Sequence, residues 1–89
     1  LAVETLTEEL AERSGYDDDT EGVLVTNVAG DSDAASKGVR SGMVIDRVND
    51  RKVTSAESFD RALSEAKGKV RLRIVLPEGG RRYVVIEPK

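Results

Sequence analysis

Apolar and polar residues alternate most regularly near the end of the chain. Residues 70–76 carry Val, Leu, Ile and Leu at every second position, with Arg71 and Arg73 between them. This period of two is typical of a strand that buries one face. Residues 77–80, with the sequence Pro-Glu-Gly-Gly, predict a turn, and the apolar residues of 83–86 complete a hairpin.

Four further segments have the composition of short strands: residues 1–6, 23–28, 43–48 and 51–53. In the first of them, the alternation places Leu1, Val3 and Thr5 on one face. The third mixes spacings of two and three between its apolar residues, so we expect a bulge or a bend within it.

Three helices are predicted, two short and one long. Thr7 is a suitable N-cap for the first, which runs to about Ser14, and Ser32 caps the second at residues 33–37. The long helix covers residues 56–67, where apolar residues recur at spacings of three and four.

The N-cap of the long helix has two candidates. Thr54 forms a capping box with Glu57, and Ser55 is an equally suitable cap one residue later.

The length and composition support one small domain, residues 1–89, of the mainly β, antiparallel α+β class. The chain has 89 residues, of which 38% are apolar and 3% aromatic, so its core consists of Val, Leu, Ile and Ala. Strands and long helices do not alternate, which excludes a βαβ nucleotide fold. Because the chain begins inside an apolar stretch without Met, we expect it to be a domain excised from a longer protein.

Charge is unevenly distributed along the chain. Residues 1–45 carry ten acidic and three basic side chains, a net charge of −7, whereas residues 46–89 carry seven acidic and eleven basic ones, a net charge of +4. The basic residues alternate with apolar ones and lack aromatic stacking partners, which nucleic-acid modules usually supply. A solvated sheet face is therefore the preferred interpretation, and no nucleic-acid partner is expected.

The residue types present exclude most catalytic chemistry. The chain has no His and no Cys, so neither a Ser-His-Asp triad, a thiol nucleophile nor a His/Cys metal site can form. The acidic run Asp17-Asp18-Asp19 lacks the spacing of a calcium-binding loop and is interpreted as a solvated loop. No glycine-rich phosphate motif is present. We therefore expect no catalytic residue, no metal and no cofactor. Separately, no apolar run in the sequence approaches the length of a membrane span.

One arrangement of elements has functional potential. A strand with a free edge at residues 1–6 and the amphipathic helix at 56–67 can form a groove that takes an extended peptide by strand addition. Every edge strand offers the same possibility, so the residues alone leave this open.

Three longer segments carry a resemblance to a known family. Residues 22–28 (GVLVTNV) and 30–50 (GDSDAASKGVRSGMVIDRVND) resemble the signature region of bacterial PDZ domains, and residues 53–63 (VTSAESFDRAL) resemble their groove helix. The opening segment, 1–10, is similar to that of PDZ domains in HtrA-type (Deg-type, DegP/DegQ-like) serine proteases. The permuted strand order also matches that group, and the short helix after the first strand fits their second, C-terminal PDZ domain.

The resemblance implies a PDZ-like, partly open antiparallel β-barrel or sandwich and a binding role. Such domains recruit substrates to, or regulate, a trypsin-like serine endopeptidase on the same polypeptide. The implied partners are C-terminal or extended segments of unfolded proteins and the protease domain of the same polypeptide. The whole protein is in some cases homo-oligomeric. The implied location is periplasmic or otherwise extracytoplasmic, without membrane contact by this domain.

The resemblance also implies eight peptide-binding residues: Leu1, Ala2, Val3, Glu4, Thr5, Ala56, Asp60 and Leu63. The amides of Ala2 and Val3 would hold the ligand carboxylate. Leu1, Val3, Thr5 and Leu63 would line the pocket for the last ligand side chain. Ala56 and Asp60 would face the side chain two residues earlier.

Two of these residues depart from the family pattern, and two residues of the long helix have other interpretations. Ala2 stands where the family normally has Gly, which predicts weaker binding, and Thr5 is smaller and more polar than the usual aliphatic residue. In the alternative interpretation, Asp60 points to solvent and pairs with Arg61 or Ser64 instead of facing the ligand. Phe59 falls off the groove face and is assigned to the core.

Two alternative functions remain open at this point. In the first, the PDZ domain belongs to a protein other than an HtrA-type protease, such as a membrane-embedded regulatory protease, a C-terminal processing protease or a secretion component. In the second, the domain is an interface that builds an oligomer and binds no free peptide.

Overall fold

The computed structural model describes residues 1–66 and 68–87. Within them, the chain forms six strands and three helices: β1 (Ala2–Thr5), α1 (Glu8–Arg13), β2 (Val23–Asn27), α2 (Asp33–Ser36), β3 (Val44–Val48), β4 (Arg51–Lys52), α3 (Ala56–Glu65), β5 (Val70–Val75) and β6 (Arg81–Ile86). The predicted mainly β class is confirmed, with one long and two short helices.

The strands form one antiparallel sheet that is not closed into a barrel. Its order is β1-β2-β3-β5-β6, and β4 pairs with β3 beside this path. The first and last strands are therefore the two edges of the sheet. This open arrangement agrees with the predicted partly open antiparallel fold.

The α3 face of the sheet carries the main core. Alternate residues of the strands point to this face and pack against Phe59 and Ala62 of α3: Val23, Val25, Ile45, Val48, Val70, Leu72, Ile74, Val84 and Ile86. Phe59 is only 1% exposed, which confirms its assignment to the core. The alternation predicted for β5 is confirmed by its buried residues on this face.

A second, smaller core lies on the other face of the sheet. There Leu24, Val44 and Val75 pack against Ala11 of α1 and against Tyr16. The Tyr16 hydroxyl donates to the carbonyl oxygen of Gly42 at 3.2 Å, and burial raises the pKa of this hydroxyl above its usual value. The sheet is thus covered by α3 on one side and by α1 on part of the other.

The predicted irregularity in β3 is a bulge. The register between β3 and β5 shifts between Ile45 and Arg47, and the intervening Asp46 is buried. Arg73 of β5 donates to both oxygens of the Asp46 carboxylate, from Nε at 2.8 Å and from Nη2 at 2.7 Å. These hydrogen bonds raise the pKa of the Arg73 guanidinium above its ordinary value.

The start of α3 follows one of the two predicted caps. Ser55 accepts from the Ser58 N–H at 3.1 Å, and the Ser58 hydroxyl accepts from the Ser55 N–H at 3.0 Å. The alternative box of Thr54 with Glu57 is wrong, because Ser58 fills that role and Glu57 pairs with Arg61 instead.

Helix ends differ slightly from prediction. α3 ends at Glu65, with an extended backbone at Ala66, rather than at Lys67, which lies outside the described residues. α2 ends at Ser36, one residue early. Among the described residues, no helix combines the length and apolar character needed to span a membrane.

Candidate functional site

The outer edge of β1 carries backbone groups that are not used by the sheet. β1 pairs with β2 in the register Val3 with Val25, Glu4 with Leu24 and Thr5 with Val23, and the Leu6 N–H donates to the Gly22 carbonyl. Backbone groups alternate in direction along an antiparallel strand. Glu4 therefore bonds toward β2, while the N–H and C=O groups of Val3 and Thr5 face the open edge.

The start of β1 contains a second irregularity. The register shifts between Ala2 and Val3, so that Thr26 of β2 is an extra residue opposite them. Such bulges redirect the strand and increase its twist. Among the described residues other than glycine, Asn49 has the sole positive φ, so Ala2 adopts a conformation that needs no glycine.

Helix α3 is attached to β1 at the end of the strand. The N–H of Ala56, the first residue of α3, donates to the Thr5 hydroxyl at 2.9 Å. N–H groups in the first turn of a helix have no partner within the helix, so Thr5 satisfies one of them from another element. This hydrogen bond closes one end of the space between β1 and α3.

The floor of this space is apolar. Val3 and Leu63 are both partly buried and both pack against the main core. Leu63 lies seven residues after Ala56, which corresponds to roughly 10 Å along a helix. Since the Ala56 N–H donates to the Thr5 hydroxyl, helix geometry leads us to expect Leu63 nearer the other end of the groove than Thr5.

The four remaining predicted site residues are exposed. Leu1 is 40% exposed, and Ala2 and Glu4 are also exposed. Asp60 follows Ala56 by one helical turn and is exposed, with no hydrogen bond or ion pair to any described residue. The alternative partners are occupied: Arg61 pairs with Glu57, and the Ser64 hydroxyl donates to the Arg61 carbonyl.

Sequence reasoning missed a polar cleft on the face opposite α3. It has a volume of about 330 Å³ and lies between the acidic loop after Tyr16 and the hairpin of β5 and β6, with the Asp46–Arg73 pair in its wall. The mixed spacing in β3 predicted the bulge that contains Asp46. It did not predict that Asp46 pairs with Arg73 on another strand. Elsewhere, the exposed carboxylates of Glu8, Glu12 and Asp18 lie within 4.8 Å of one another.

Comparisons with known proteins support one relationship. No protein family model matches the chain. It is 38% identical over 87 residues to a probable periplasmic serine endoprotease, DegP-like, of Chlamydia muridarum, which covers 98% of this chain and 18% of that protein. A protein of the same name from Chlamydia pneumoniae is 33% identical over 89 residues, covering 100% of the chain. The chain thus spans under a fifth of the length of these relatives.

Solved structures give the same result. The HtrA3 PDZ domain, solved with a phage-derived ligand (FGRWV), matches all of this chain and 81% of its own, with a TM-score of 0.83 and 20% identity. The HtrA-type protease AlgW, solved with a decapeptide, matches 98% of this chain and 27% of its own, with a TM-score of 0.80 and 27% identity.

The open antiparallel sheet, its free first strand beside α3 and these matches define a PDZ domain. PDZ domains are binding modules, and this domain is not itself an enzyme. The chain belongs to the PDZ domains of HtrA proteases, as its resemblance predicted.

Proposed function

We propose that this domain binds the C-terminal end of an extended peptide as an additional strand on β1. The observation that carries the proposal is the free edge of β1 beside α3, where Val3 and Thr5 present unused backbone groups. Strand addition uses such groups for affinity and side-chain pockets for specificity. The HtrA3 PDZ domain and AlgW were each solved with a peptide, which supports peptide binding by this domain.

Within this groove, seven of the eight predicted residues have a role. The Ala2 and Val3 amides hold the terminal carboxylate at the bulge. Leu1, Val3 and Leu63 enclose the last side chain. Because the Thr5 hydroxyl contacts Ala56, we assign Thr5 to the other end of the groove, with Ala56 and Asp60.

The proposal extends to the protein from which the domain derives. The domain, residues 1–89, belongs to a longer HtrA-type serine endopeptidase and delivers captured segments of unfolded proteins to it, or regulates it. An extracytoplasmic location and assembly into homo-oligomers are part of this proposal. Its support is the identity to relatives that are named periplasmic serine endoproteases.

The direct test uses the 89-residue chain and a library of peptides with free, apolar C-termini. A selected peptide is then titrated as the free acid and as the C-terminal amide. We expect a dissociation constant on the order of micromolar for the acid, about −8 kcal/mol. The amide should bind at least about tenfold more weakly, because it loses charge-assisted hydrogen bonds to the Ala2 and Val3 amides.

Amide chemical shifts locate the site in the same experiment. The N–H signals of Val3 and Thr5 should shift on titration, while those of the opposite edge strand, β6, should not. Equal affinity of acid and amide would contradict carboxylate recognition. If no peptide in the library binds, the domain does not capture peptides, and the oligomer-interface alternative is favoured.

Replacing Ala2 with glycine should bring no gain in affinity. Ala2 does not require a positive φ, so glycine relieves no strain and adds flexibility to the loop. We expect peptide affinity to stay within about twofold of wild type, because a gain would require strain at this residue, and stability to fall by roughly 0.5–1 kcal/mol. Isothermal titration and urea unfolding measure the two effects; a tenfold gain in affinity would show that alanine constrains the carboxylate loop.

A further inference from the structure

One wall of the groove carries an acidic side chain whose charge is not neutralised by the described residues. Asp60 is exposed on α3, one turn beyond Ala56, and neither forms an ion pair nor accepts a hydrogen bond there. Its neighbour Arg61 is engaged by Glu57 at 3.3 Å. The Asp60 carboxylate is therefore available to a ligand in the groove.

The other side of β1 is acidic as well. Glu4 is exposed, and its register partner Leu24 belongs to the α1-side core, so the Glu4 side chain lies on the face of β1 opposite Val3 and Thr5. The surface nearby in sequence is strongly negative: residues 1–22 hold eight acidic side chains and one basic one, Arg13. Arg13 is itself paired with Glu9.

We propose that the groove selects C-terminal segments that carry Lys or Arg immediately upstream of an apolar last residue. This inference rests on the proposed function and adds the ligand's charge to it. Side chains of an added strand alternate between its two faces. The side chain two residues before the last lies on the α3 face, toward Asp60. The side chains before and after it lie on the α1 face, toward Glu4.

The physical argument is charge complementarity at an exposed site. Both carboxylates are solvated, so each pair with a ligand cation contributes only a modest factor, about twofold to fivefold in affinity. Long-range attraction from the remaining acidic residues of the α1 side also favours the encounter with a basic peptide. Both effects weaken as salt is added, because screening shortens the range of the attraction.

The test uses two series of peptides with the same free, apolar C-terminus. In one series the residue two positions before the last is Lys, Gln or Glu; in the other the residue directly before the last is varied in the same way. Affinities are measured for wild type, D60N, E4Q and D50N. Asp50 is the matched control, since it is an exposed aspartate that pairs with Arg71 on β5, three strands away from β1. Ionic strengths of about 0.01 M and about 1 M give Debye lengths of roughly 30 Å and 3 Å.

At low ionic strength, wild type should bind the Lys peptide roughly twofold to fivefold more tightly than the Gln peptide in each series, and the Glu peptide more weakly by a similar factor. D60N should remove the preference in the first series alone and E4Q in the second alone, whereas D50N should change neither. The preferences should shrink at high ionic strength.

The outcomes separate this inference from the function on which it rests. If wild type binds the Lys, Gln and Glu peptides equally at low ionic strength, the charge preference is refuted while peptide binding stands. Tighter binding of the Glu peptides would refute it as well. Failure of every peptide to bind would refute the proposed function itself.

Discussion

Replacing Leu63 with arginine is expected to weaken the binding of C-terminal peptides strongly. Leu63 is partly buried against the core at the end of the groove that the terminal side chain would occupy. A guanidinium there is covered by the bound ligand without a partner, and an unpaired charge is costly to bury. We expect at least about a tenfold loss of affinity, which corresponds to 1.4 kcal/mol or more. Isothermal titration against a selected peptide gives the measurement.

Two further variants control for the added arginine and for poor folding of L63R. E65R introduces the same side chain two positions later, on the exposed side of α3 away from Ala56 and Asp60, and should bind like wild type. L63A removes apolar area without adding charge, so it should weaken binding even if L63R folds poorly. Urea unfolding checks the fold of each variant. Wild-type affinity in folded L63R would show that the last ligand side chain does not lie against Leu63.

The substitution R73A should produce a large loss of stability. Arg73 holds both oxygens of the buried Asp46 carboxylate, and its removal leaves that charge without its principal partner. Breaking a fully buried pair costs about 3–5 kcal/mol. Because the Arg73 side chain is 24% exposed, we expect about 2–3 kcal/mol. The free energy of unfolding in urea measures this cost.

The same strand supplies the control. Arg71 lies on the same face of β5 and pairs with Asp50, whose side chain is 95% exposed, so R71A should cost below about 1 kcal/mol. The double variant D46A/R73A should recover part of the stability, since no buried charge remains unpaired. Equal losses in R73A and R71A would mean that the pair across the β3 bulge contributes no more than a surface contact.

Elements with a regular pattern were predictable from the sequence. In β5, one face is buried against α3 and the other carries the arginines, so the period of two survives in the fold. α3 was equally clear, because Phe59 and Ala62 fall on one stripe. Its cap was ambiguous, since Thr54 and Ser55 are both good caps, and the hydroxyl of Ser58 decided between them.

The site was predictable only in outline. The resemblance to PDZ domains indicated which strand and which helix form the groove, whereas composition alone left every edge strand equivalent. It did not predict that Thr5 bonds Ala56, because those residues are 51 positions apart and no local pattern joins them. The Asp46–Arg73 pair, 27 positions apart, escaped prediction for the same reason.

The hydrogen bond from Ala56 to Thr5 also has a consequence for folding. It joins the first strand of the chain to a helix that follows 51 residues later, so the two walls of the groove meet only after a long loop has closed. Contacts of such high sequence separation form slowly, and we expect the groove to be absent from partly folded forms of the domain. A peptide held by both walls then binds the native state alone. At a free concentration of 100 times its dissociation constant, such a ligand stabilises the fold by about 2.7 kcal/mol, and the thermal midpoint rises with ligand concentration.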